Sequence, residues 1–412
     1  MSIEEAPVRT RLAQRAPQLR QPAARPLRVA LFTGNYNYIR DGASQAVHRL
    51  VNYLEQVEGA QVRIYAPTSA RPAFDPDRHI VSVPSISIPG RSEYRLGLGL
   101  PPAVREDVRR FGPDLVHLAT PDLVNSQALR LSRELGVPAV SSLHTRFETY
   151  FDYYGLGWLK PWMERRQNAF YRGCDYVLAP TRPIADRLAA EGLAGRVRLW
   201  SRGVDRELFS PDRRDPAWRA AHGFAADDLV VAYFGRVVLE KGPALFADVI
   251  DQARAVDRRV RALVIGDGPA RPWLAKRLPD AVFTGFLSGA ELGRAVASAD
   301  VLLNPSTTEA FGNVTLEAMA AGLVAVCADA PSHRALVTAA VSGLLCPAQD
   351  AQSYATAILA LAEQGALRRL LGREARKASG AYSWAAALAS VVEVYREALA
   401  AQVEDVAPRK VA

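Results

Sequence analysis

Short apolar runs alternate along the chain with longer segments in which apolar residues recur every three or four positions. The run at 27–33, which ends in Gly34-Asn35, is typical of a strand buried on both faces of a parallel sheet. The spacing of apolar residues over 44–54 predicts an amphipathic helix after it. A buried strand followed by such a helix is the repeating unit of an α/β protein.

The same alternation continues through both halves of the chain. In the first half, strands are expected at 27–33, 62–66, 114–118, 139–143 and 176–180. In the second half, they are expected at 229–235, 262–266, 282–285, 301–304 and 324–327, with helices at 244–255, 290–298 and 351–363. Strands that alternate with helices indicate parallel sheets joined by right-handed crossovers. We therefore expect an α/β fold of two doubly wound, Rossmann-like domains.

The pattern is interrupted between residues 195 and 215, where Ser210-Pro211-Asp212 breaks it. We place a disordered basic tail at 1–27, a first domain at 28–205, a second domain at 206–380, a helix at 381–402 and a tail at 403–412. Open parallel sheets bind ligands beyond the carboxyl ends of their strands. Two such sheets that face each other form a cleft, so the loops after the strands are the places to search for chemistry.

Composition is that of an ordinary globular protein, since 49% of the 412 residues are apolar and 23% are charged. The three cysteines, Cys174, Cys327 and Cys346, lack ligand-like spacing, which argues against a disulfide framework or a zinc site and favours a reducing, cytoplasmic location. No apolar run reaches about 18 residues, and no signal-peptide core is evident. We therefore expect neither a membrane span nor secretion.

The net charge of +8 is unevenly distributed, and half of it lies in residues 1–28. A basic arm of this kind either contacts anionic lipid or nucleic acid or remains a solvated tail, and we favour the solvated tail. The rest of the chain is mildly basic and carries no zinc-finger or RNA-binding motif. No nucleic-acid partner is therefore expected.

Two cations follow the first strand of the second half, in the stretch F-G-R-V-V-L-E-K-G at 234–242. The planar fork of Arg236 and the compact charge of Lys241 together suit a diphosphate, although solvated loop cations explain them equally well. The next strand ends in I-G-D-G-P at 265–269, a glycine turn that admits a ligand or a neighbouring backbone. This turn lacks the G-x-G-x-x-G pattern of a dinucleotide site.

Two glutamates, Glu309 and Glu317, flank a predicted turn at Gly312-Asn313. On a helix they would stand about 80° apart, so we do not expect two carboxylates that share one proton on the same face. We place Glu309 in a loop and Glu317 in a helix over 314–321 that ends at Gly322. The start of that helix favours a phosphate, and Glu317 among apolar neighbours needs a partner.

Two residues of the first half lie where the same cleft is expected. His144 follows the strand at 139–143, and Gly42 opens the first helix. A lone histidine is more often structural than functional, but a strand end that faces the charged loops of the second domain favours a functional role. A helix that begins at a glycine presents backbone N–H groups and, because glycine has no side chain, lets a ligand approach closely.

These motifs resemble those of the family 4 retaining glycosyltransferases, which have the two-domain GT-B fold. The resemblance rests on D-G-A-S-Q-A-V-H-R-L (41–50), L-H-T (143–145), S-R-G-V-D (201–205), F-G-R-V-V-L-E-K-G (234–242), I-G-D-G-P (265–269) and E-A-F-G-N-V-T-L-E (309–317). They span nearly the whole chain, and the specific part is E-x7-E after a strand together with R-x4-K. In that family a C-terminal helix crosses back to the first domain.

The resemblance implies roles for the charged residues. Arg236 and Lys241 would neutralise the donor diphosphate as it leaves. Glu309 would bind hydroxyl groups of the transferred sugar, and Glu317 would hold the ribose diol of the nucleotide. The leaving phosphate would accept the acceptor's proton in a front-face attack, so the reaction would retain the anomeric configuration.

Further roles follow from the same resemblance. His144 would contact the sugar near the reacting carbon, and Gly42 would leave room for the diphosphate and the acceptor. The other implied donor-site residues are Gly235, Gly266, Gly285, Phe286, Leu287, Phe311, Gly312, Asn313 and Val314, of which 285–287 would border the base. No metal or other cofactor is expected, and the only D-x-D, Asp75-Pro76-Asp77, lies in a predicted loop that does not favour a metal site.

The acceptor is indicated by weaker signals. Residues 84–96 resemble the lipid-modifying subgroup of sulfoquinovosyl- and GDP-mannose-dependent mannosyltransferases, which makes Tyr94 and Arg95 acceptor candidates. The aromatic residues of 147–162 either suit a membrane interface or pack in the core or the cleft wall of the first domain, and the candidates among them are Tyr150, Tyr154, Trp158 and Trp162. We expect GDP-mannose rather than a UDP-hexose as donor, a lipid or glycolipid acceptor, and a peripheral place on the inner face of the plasma membrane.

Other functions stay open on sequence grounds. The acceptor is alternatively a soluble or polysaccharide molecule, and the chain is alternatively a nucleotide-sugar epimerase or a non-catalytic sugar-nucleotide-binding protein. An epimerase needs additional acids and bases that the sequence does not reveal, and mere binding has no use for the four residues Arg236, Lys241, Glu309 and His144 together. A glycosidase is disfavoured because no suitable pair of carboxylates stands out.

Overall fold

A computed structural model of the chain describes residues 25–39, 41–69, 72–73, 80–88, 91–145, 155 and 157–406. Two parallel sheets, each packed against helices, make up this part of the chain, which confirms the expected fold class. The predictions for most of the basic tail, for Asp75 and Asp77, and for Tyr150 and Tyr154 concern residues outside the described ranges.

The first half of the chain builds the first sheet and a separate two-stranded hairpin. Its strands are β1 (Arg28–Phe32), β2 (Gln61–Ala66), β3 (Ile80–Ser82), β4 (Ser85–Ile88), β5 (Arg91–Gly97), β6 (Leu115–Leu118), β7 (Ala139–Ser142), β8 (Tyr176–Ala179) and β9 (Val197–Leu199). Its helices are α1 (Gly42–Gln56), α2 (Pro102–Phe111), α3 (Leu123–Leu135), α4 (Lys160–Arg172) and α5 (Arg182–Leu188). Seven strands pair in parallel in the order β3-β2-β1-β6-β7-β8-β9, and β4 and β5 form an antiparallel hairpin.

The second half repeats the architecture with six parallel strands. They are β10 (Leu229–Phe234), β11 (Val260–Ile265), β12 (Val282–Gly285), β13 (Val301–Asn304), β14 (Val324–Ala328) and β15 (Gly343–Cys346), in the order β12-β11-β10-β13-β14-β15. The helices are α6 (Pro216–Ala221), α7 (Pro243–Val256), α8 (Arg271–Arg277), α9 (Gly289–Ala297), α10 (Asn313–Ala320), α11 (Pro331–Arg334), α12 (Ala351–Glu363), α13 (Gly365–Ser379) and α14 (Trp384–Val406). Short 3₁₀ turns lie at Gly157–Leu159, Pro211–Arg213 and Leu239–Lys241, and a π-helical turn lies at Ala189–Leu193.

The last helix returns to the first sheet. Leu388, Val391 and Tyr395 of α14 are buried in one cluster with residues of β1, β6, β7 and β8. Where the chain leaves the first sheet it runs beside the start of α14, and a side chain at Gly203 would lie 2.1 Å from the backbone nitrogen of Trp384. The two connections between the halves are therefore packed against each other.

Every strand expected from the apolar runs is present, with ends within two residues of the expected ones. The strands β3, β9 and β15 were not expected, because they are short strands at the edges of the sheets, and the β4–β5 hairpin was not expected either. Two boundaries need correction. The last helix continues through Val406 and does not end at 402, and Arg25 already lies against the sheet, where its guanidinium donates to Asp114 over 3.0 Å.

Candidate active site

A cleft of about 1120 Å³ lies between the two sheets, at the carboxyl ends of their strands. Nearly all residues predicted to bind the donor lie on its wall. They are Gly42 and His144 from the first half, and Gly235, Arg236, Lys241, Gly266, Phe286, Leu287, Glu309, Phe311, Gly312, Asn313, Val314 and Glu317 from the second. Residues of both halves therefore line a single cleft.

Arg236 follows β10, where Gly235 turns the chain with a φ of 127°. Its guanidinium donates to the Tyr94 hydroxyl over 2.5 Å and lies 5.2 Å from the centre of that ring, so the β4–β5 hairpin reaches across the cleft. A second guanidinium nitrogen is 3.7 Å from a carboxylate oxygen of Glu240, whose side chain is almost fully buried. These contacts hold the fork of Arg236 at the cleft wall, where it remains partly exposed to a ligand.

Lys241 forms an ion pair and hydrogen bond with Glu309. Only 10% of the Glu309 side chain is exposed, and this burial by itself would raise its pKa, but the charge of Lys241 and its hydrogen bond outweigh burial and hold the pKa below its usual value. Glu309 is therefore ionised at neutral pH and acts only as an acceptor. One carboxylate thus stands beside Lys241 on the cleft wall, in position to accept hydrogen bonds from hydroxyl groups.

Glu317 lies in α10 and Glu309 in the preceding loop, as the turn residues predicted. Gly312 begins α10 with a φ of 101°, and Gly322 follows its end with a φ of 82°. Burial raises the pKa of Glu317 to about 8, and the charge of Arg49 offsets this only in part. The expected partner is thus represented only by the charge of Arg49, on α1, which acts on Glu317 without outweighing burial.

The N-termini of α1 and α10 meet across the cleft. Asp41 caps α1 by accepting from the backbone N–H of Ser44 over 2.7 Å, and Gly42 is the first helical residue. A side chain at Gly42 would lie 2.4 Å from the side-chain amide nitrogen of Asn313, the first residue of α10. Two helix N-termini that converge on one cleft favour an anionic ligand between them.

The glycine turn after β11 has a packing reason. Gly266 has a φ of 132°, and a Cβ there would lie 2.0 Å from the carbonyl oxygen of Gly235. Its N–H donates to the carbonyl of Gly285 over 2.9 Å. Gly285 is not among the residues on the cleft wall, unlike Phe286 and Leu287 after it, and the contact of 285–287 with the base stays a prediction.

His144 lies on the cleft wall, and the protein engages both of its ring nitrogens. Nδ1 accepts from the guanidinium of Arg202 over 2.9 Å, and Nε2 is 2.8 Å from the hydroxyl of Ser142. Burial, and then the charge of Arg202, lower the pKa of His144 well below its usual value. The ring is therefore neutral, and its proposed contact with the sugar stays a prediction.

The sequence did not reveal the roles of Arg202 and Arg49. Arg202 lies within the matched S-R-G-V-D stretch, but nothing in the stretch indicates that its side chain turns back to His144. Arg49 lies on the polar side of an amphipathic helix, where an arginine normally contacts only solvent. Its guanidinium stacks over the Trp384 ring at 4.8 Å, a contact between residues far apart in sequence.

The acceptor candidates separate into two places. Tyr94 lines the cleft, whereas Arg95 donates within the hairpin to Ser85 over 2.9 Å and does not reach the cleft wall. Trp158 and Trp162 lie outside the cleft with 75% and 51% of their surface exposed. The interpretation that these two tryptophans pack in the core or the cleft wall is therefore wrong.

Within the described residues, no group of three or more His, Cys, Asp or Glu side chains has the geometry to hold a metal ion. In the same part of the chain, the helices are too short or too polar to cross a membrane. The three cysteines are free and buried.

Comparison with known proteins identifies both halves. The glycosyltransferase family 4 model matches residues 40–208, and the glycosyl transferases group 1 model matches residues 228–364. The sulfoquinovosyl transferase of Arabidopsis thaliana is 31% identical over 379 residues, which cover 89% of this chain and 73% of that protein. A GDP-mannose-dependent alpha-mannosyltransferase of Mycolicibacterium smegmatis is 32% identical over 367 residues, with 87% and 94% of the two chains covered.

A third relative and a solved structure extend the comparison. The alpha-monoglucosyldiacylglycerol synthase of Acholeplasma laidlawii is 26% identical over 316 residues, which cover 72% of this chain and 79% of that protein. The structure of sucrose-phosphate synthase from Thermosynechococcus elongatus superimposes with a TM-score of 0.72 at 21% identity, with 91% of this chain and 100% of that one covered. The likeness in structure shows the shared two-domain GT-B fold.

Proposed function

The chain belongs to the family 4 glycosyltransferases, and from this we propose a retaining, metal-independent hexosyltransferase that uses a nucleotide-diphosphate sugar. The observation that supports the proposal most directly is that Arg236 and Lys241, the latter paired with Glu309, line the same cleft. Two cations at one place stabilise the negative charge that grows on a departing diphosphate more than they stabilise the bound donor.

The proposed step exchanges one bond at the anomeric carbon for another. The bond from this carbon to the diphosphate oxygen breaks, and the acceptor oxygen bonds to the same face of the carbon. The acceptor's proton passes to the departing phosphate oxygen, so no protein base is required. The neutral, fully engaged ring of His144 agrees with a step that uses no protein base.

The two glutamates divide the donor between them. Glu309, ionised beside Lys241, accepts hydrogen bonds from the hexose, and Glu317, one turn into α10, accepts from the ribose diol. Glu317→Gln should therefore weaken nucleotide binding, whereas Glu309→Gln should lower the rate of transfer more than the affinity for the nucleotide. Equal effects of the two substitutions on nucleotide dissociation constants contradict this division.

We infer GDP-mannose as the donor. This chain covers 94% of the GDP-mannose-dependent alpha-mannosyltransferase of Mycolicibacterium smegmatis. The two are 32% identical, and the identity to the sulfoquinovosyl transferase is 31%. Thermal-shift titrations with GDP and with UDP separate the two base classes. Stabilisation by GDP at lower concentration supports the inference, and stabilisation by UDP alone replaces GDP-mannose with a UDP-linked hexose.

The acceptor in this proposal is a hydroxyl group of a lipid or glycolipid at a membrane surface. The name of the Acholeplasma relative includes diacylglycerol, and the exposed Trp158 and Trp162 lie beside Arg165 and Arg166. Aromatic rings next to cations suit an anionic membrane interface. Co-sedimentation with anionic liposomes that falls in a Trp158→Ser, Trp162→Ser double variant is expected, and equal binding to neutral liposomes contradicts it.

A panel of radiolabelled donors with a membrane-lipid extract tests the function itself. We expect label from one donor to appear in the organic phase, with the same yield after addition of a metal chelator. Recovery of an epimerised donor indicates an epimerase, label in a water-soluble glycan indicates a soluble acceptor, and binding without turnover indicates a non-catalytic protein.

A further inference from the structure

A row of hydrogen bonds continues from the cleft into the first sheet. Arg202 donates to His144, whose other nitrogen is bonded to Ser142, as described above. The Ser142 hydroxyl is also 2.8 Å from Nε2 of His117, and Nδ1 of His117 is 2.7 Å from the hydroxyl of Tyr395. Five side chains are thus connected without a gap.

The row lies in the interior and joins distant parts of the chain. Ser142, His117 and Tyr395 are fully buried, and Arg202 is 4% exposed. Ser142 and His117 belong to the neighbouring strands β7 and β6, and Tyr395 belongs to α14, the helix that returns from the second half. The row therefore connects the returning helix to the wall of the donor cleft.

The direction of the bonds follows from the chemistry of the two ends. Arginine only donates, so Nδ1 of His144 is an acceptor and its Nε2 carries the proton. That Nε2–H donates to Ser142, whose own hydroxyl hydrogen then points to Nε2 of His117. His117 is consequently protonated at Nδ1 and donates to Tyr395. One tautomer of His144 is selected by this order.

The Trp200 ring packs against three members of the row. The edges of His144 and His117 meet its ring at centroid distances of 5.1 and 6.1 Å, and the guanidinium of Arg202 lies 4.7 Å from its centre. The ring of His144 therefore has a fixed tautomer and a fixed orientation before any donor arrives. Preset orientation of this kind is what a residue near a reacting centre requires.

We propose that Ser142, His117 and Tyr395 are positioning residues for His144: Arg202 sets the Nε2–H tautomer by donating to Nδ1, and the three buried side chains hold that Nε2–H, and with it the ring, in place at the cleft wall. The effect of the row on catalysis rests on the proposed function, but the tautomer does not. A second buried tyrosine lies outside the row: Tyr354 in the second half is fully buried, and its hydroxyl has no hydrogen-bond partner among the described residues. Tyr354→Phe is therefore a matched control for Tyr395→Phe.

The test combines a spectroscopic and a kinetic measurement on the full chain. Ring ¹⁵N NMR of histidine-labelled protein reports the tautomer, with the His144 signals assigned from a His144→Gln variant. We expect the Nε2–H tautomer in the wild type, where Arg202 fixes Nδ1 as the acceptor, and a shifted Nε2 signal of the same tautomer in Ser142→Ala and Tyr395→Phe, because these variants remove or weaken the hydrogen bonds on the Nε2 side. In the transfer assay, we expect kcat to fall about tenfold in both variants with KM for the donor within about twofold, and no change in Tyr354→Phe.

An Nδ1–H tautomer or a charged ring for His144 in the wild type at pH 7 overturns the proposal without any variant, even if a substituted protein fails to fold. Unchanged His144 signals together with unchanged kcat in Ser142→Ala and Tyr395→Phe also overturn it. A chain that transfers no sugar from any donor refutes the proposed function, and the NMR result still decides whether the row sets the tautomer.

Discussion

Nucleotide binding should strengthen with pH between 7 and 9 because of a single side chain, Glu317. In the free protein, burial raises the pKa of this carboxyl to about 8. The proposed contact with a ribose diol needs the ionised form, since only a carboxylate accepts from both hydroxyl groups at once. Binding of the nucleotide therefore favours the charged state and lowers the pKa of Glu317 in the complex.

The magnitude follows from the fraction of ionised carboxyl. With a pKa of about 8, roughly one molecule in ten carries the carboxylate at pH 7, and roughly nine in ten carry it at pH 9. The dissociation constant should therefore be about tenfold lower at pH 9 than at pH 7, which corresponds to about 1.4 kcal/mol. The nucleotide therefore binds more weakly below the pKa that Glu317 has in the free protein, and it reaches its full affinity above that pKa.

Isothermal titration calorimetry with the nucleoside diphosphate at pH 7, 8 and 9 measures this dependence. Glu317→Gln removes the titrating group and keeps the shape of the side chain. This variant should therefore bind the nucleotide more weakly, with a dissociation constant that is nearly constant from pH 7 to 9. A wild-type dissociation constant that does not change with pH, or that rises with it, refutes the assignment of Glu317 to the ribose.

The raised pKa of Glu317 also makes the stability of the folded protein depend on pH. Its pKa in the folded protein, about 8, lies above the ordinary value of 4.5, so the folded state holds the proton more tightly. The stability that this group contributes is fully present below about pH 4.5 and is lost as the pH rises towards 8, at up to about 1.4 kcal/mol per pH unit. Glu317→Gln should therefore melt at a higher temperature than the wild type at pH 8, with a smaller difference at pH 5.

Two further substitutions test the geometry of the cleft. Gly42→Ala places a methyl group against the side chain of Asn313 and should reduce transfer strongly, whereas Gly195→Ala, with open space around it, should leave the rate unchanged; equal rates for the two variants contradict the close approach of α1 and α10. Lys241→Met should lower kcat by about 10²–10³ because it removes a charge that stabilises the leaving diphosphate and leaves Glu309 without its partner; initial rates within about threefold of the wild type contradict this role.

The sequence predicted the strands and the site residues that local physics determines. Strand β10 is recognisable because a run buried on both faces must be apolar throughout. Glu309 and Glu317 were placed in a loop and a helix because Gly312 and Gly322 begin and end that helix, and both glycines have positive φ. These conclusions need no knowledge of how the two halves face each other.

The contacts that complete the site could not be predicted in the same way. Tyr94 and Arg236 are separated by 142 residues and meet across the cleft, and the guanidinium of Arg202 reaches His144 from another loop. Such pairs depend on how the two halves face each other and on which way a side chain turns, and neither is encoded in local periodicity. Edge strands such as β9 were missed because three residues carry too little pattern.

The central claim is that the cleft moves a hexose from a nucleotide diphosphate to an acceptor hydroxyl on the same face of the anomeric carbon. Its most direct test is NMR of the purified chain with a donor ¹³C-labelled at the anomeric carbon and the lipid acceptor found in the extract. Transfer on the same face predicts that the labelled signal moves from the diphosphate ester to a glycoside of unchanged anomeric configuration. A glycoside of inverted configuration, or free hexose as the product, contradicts it.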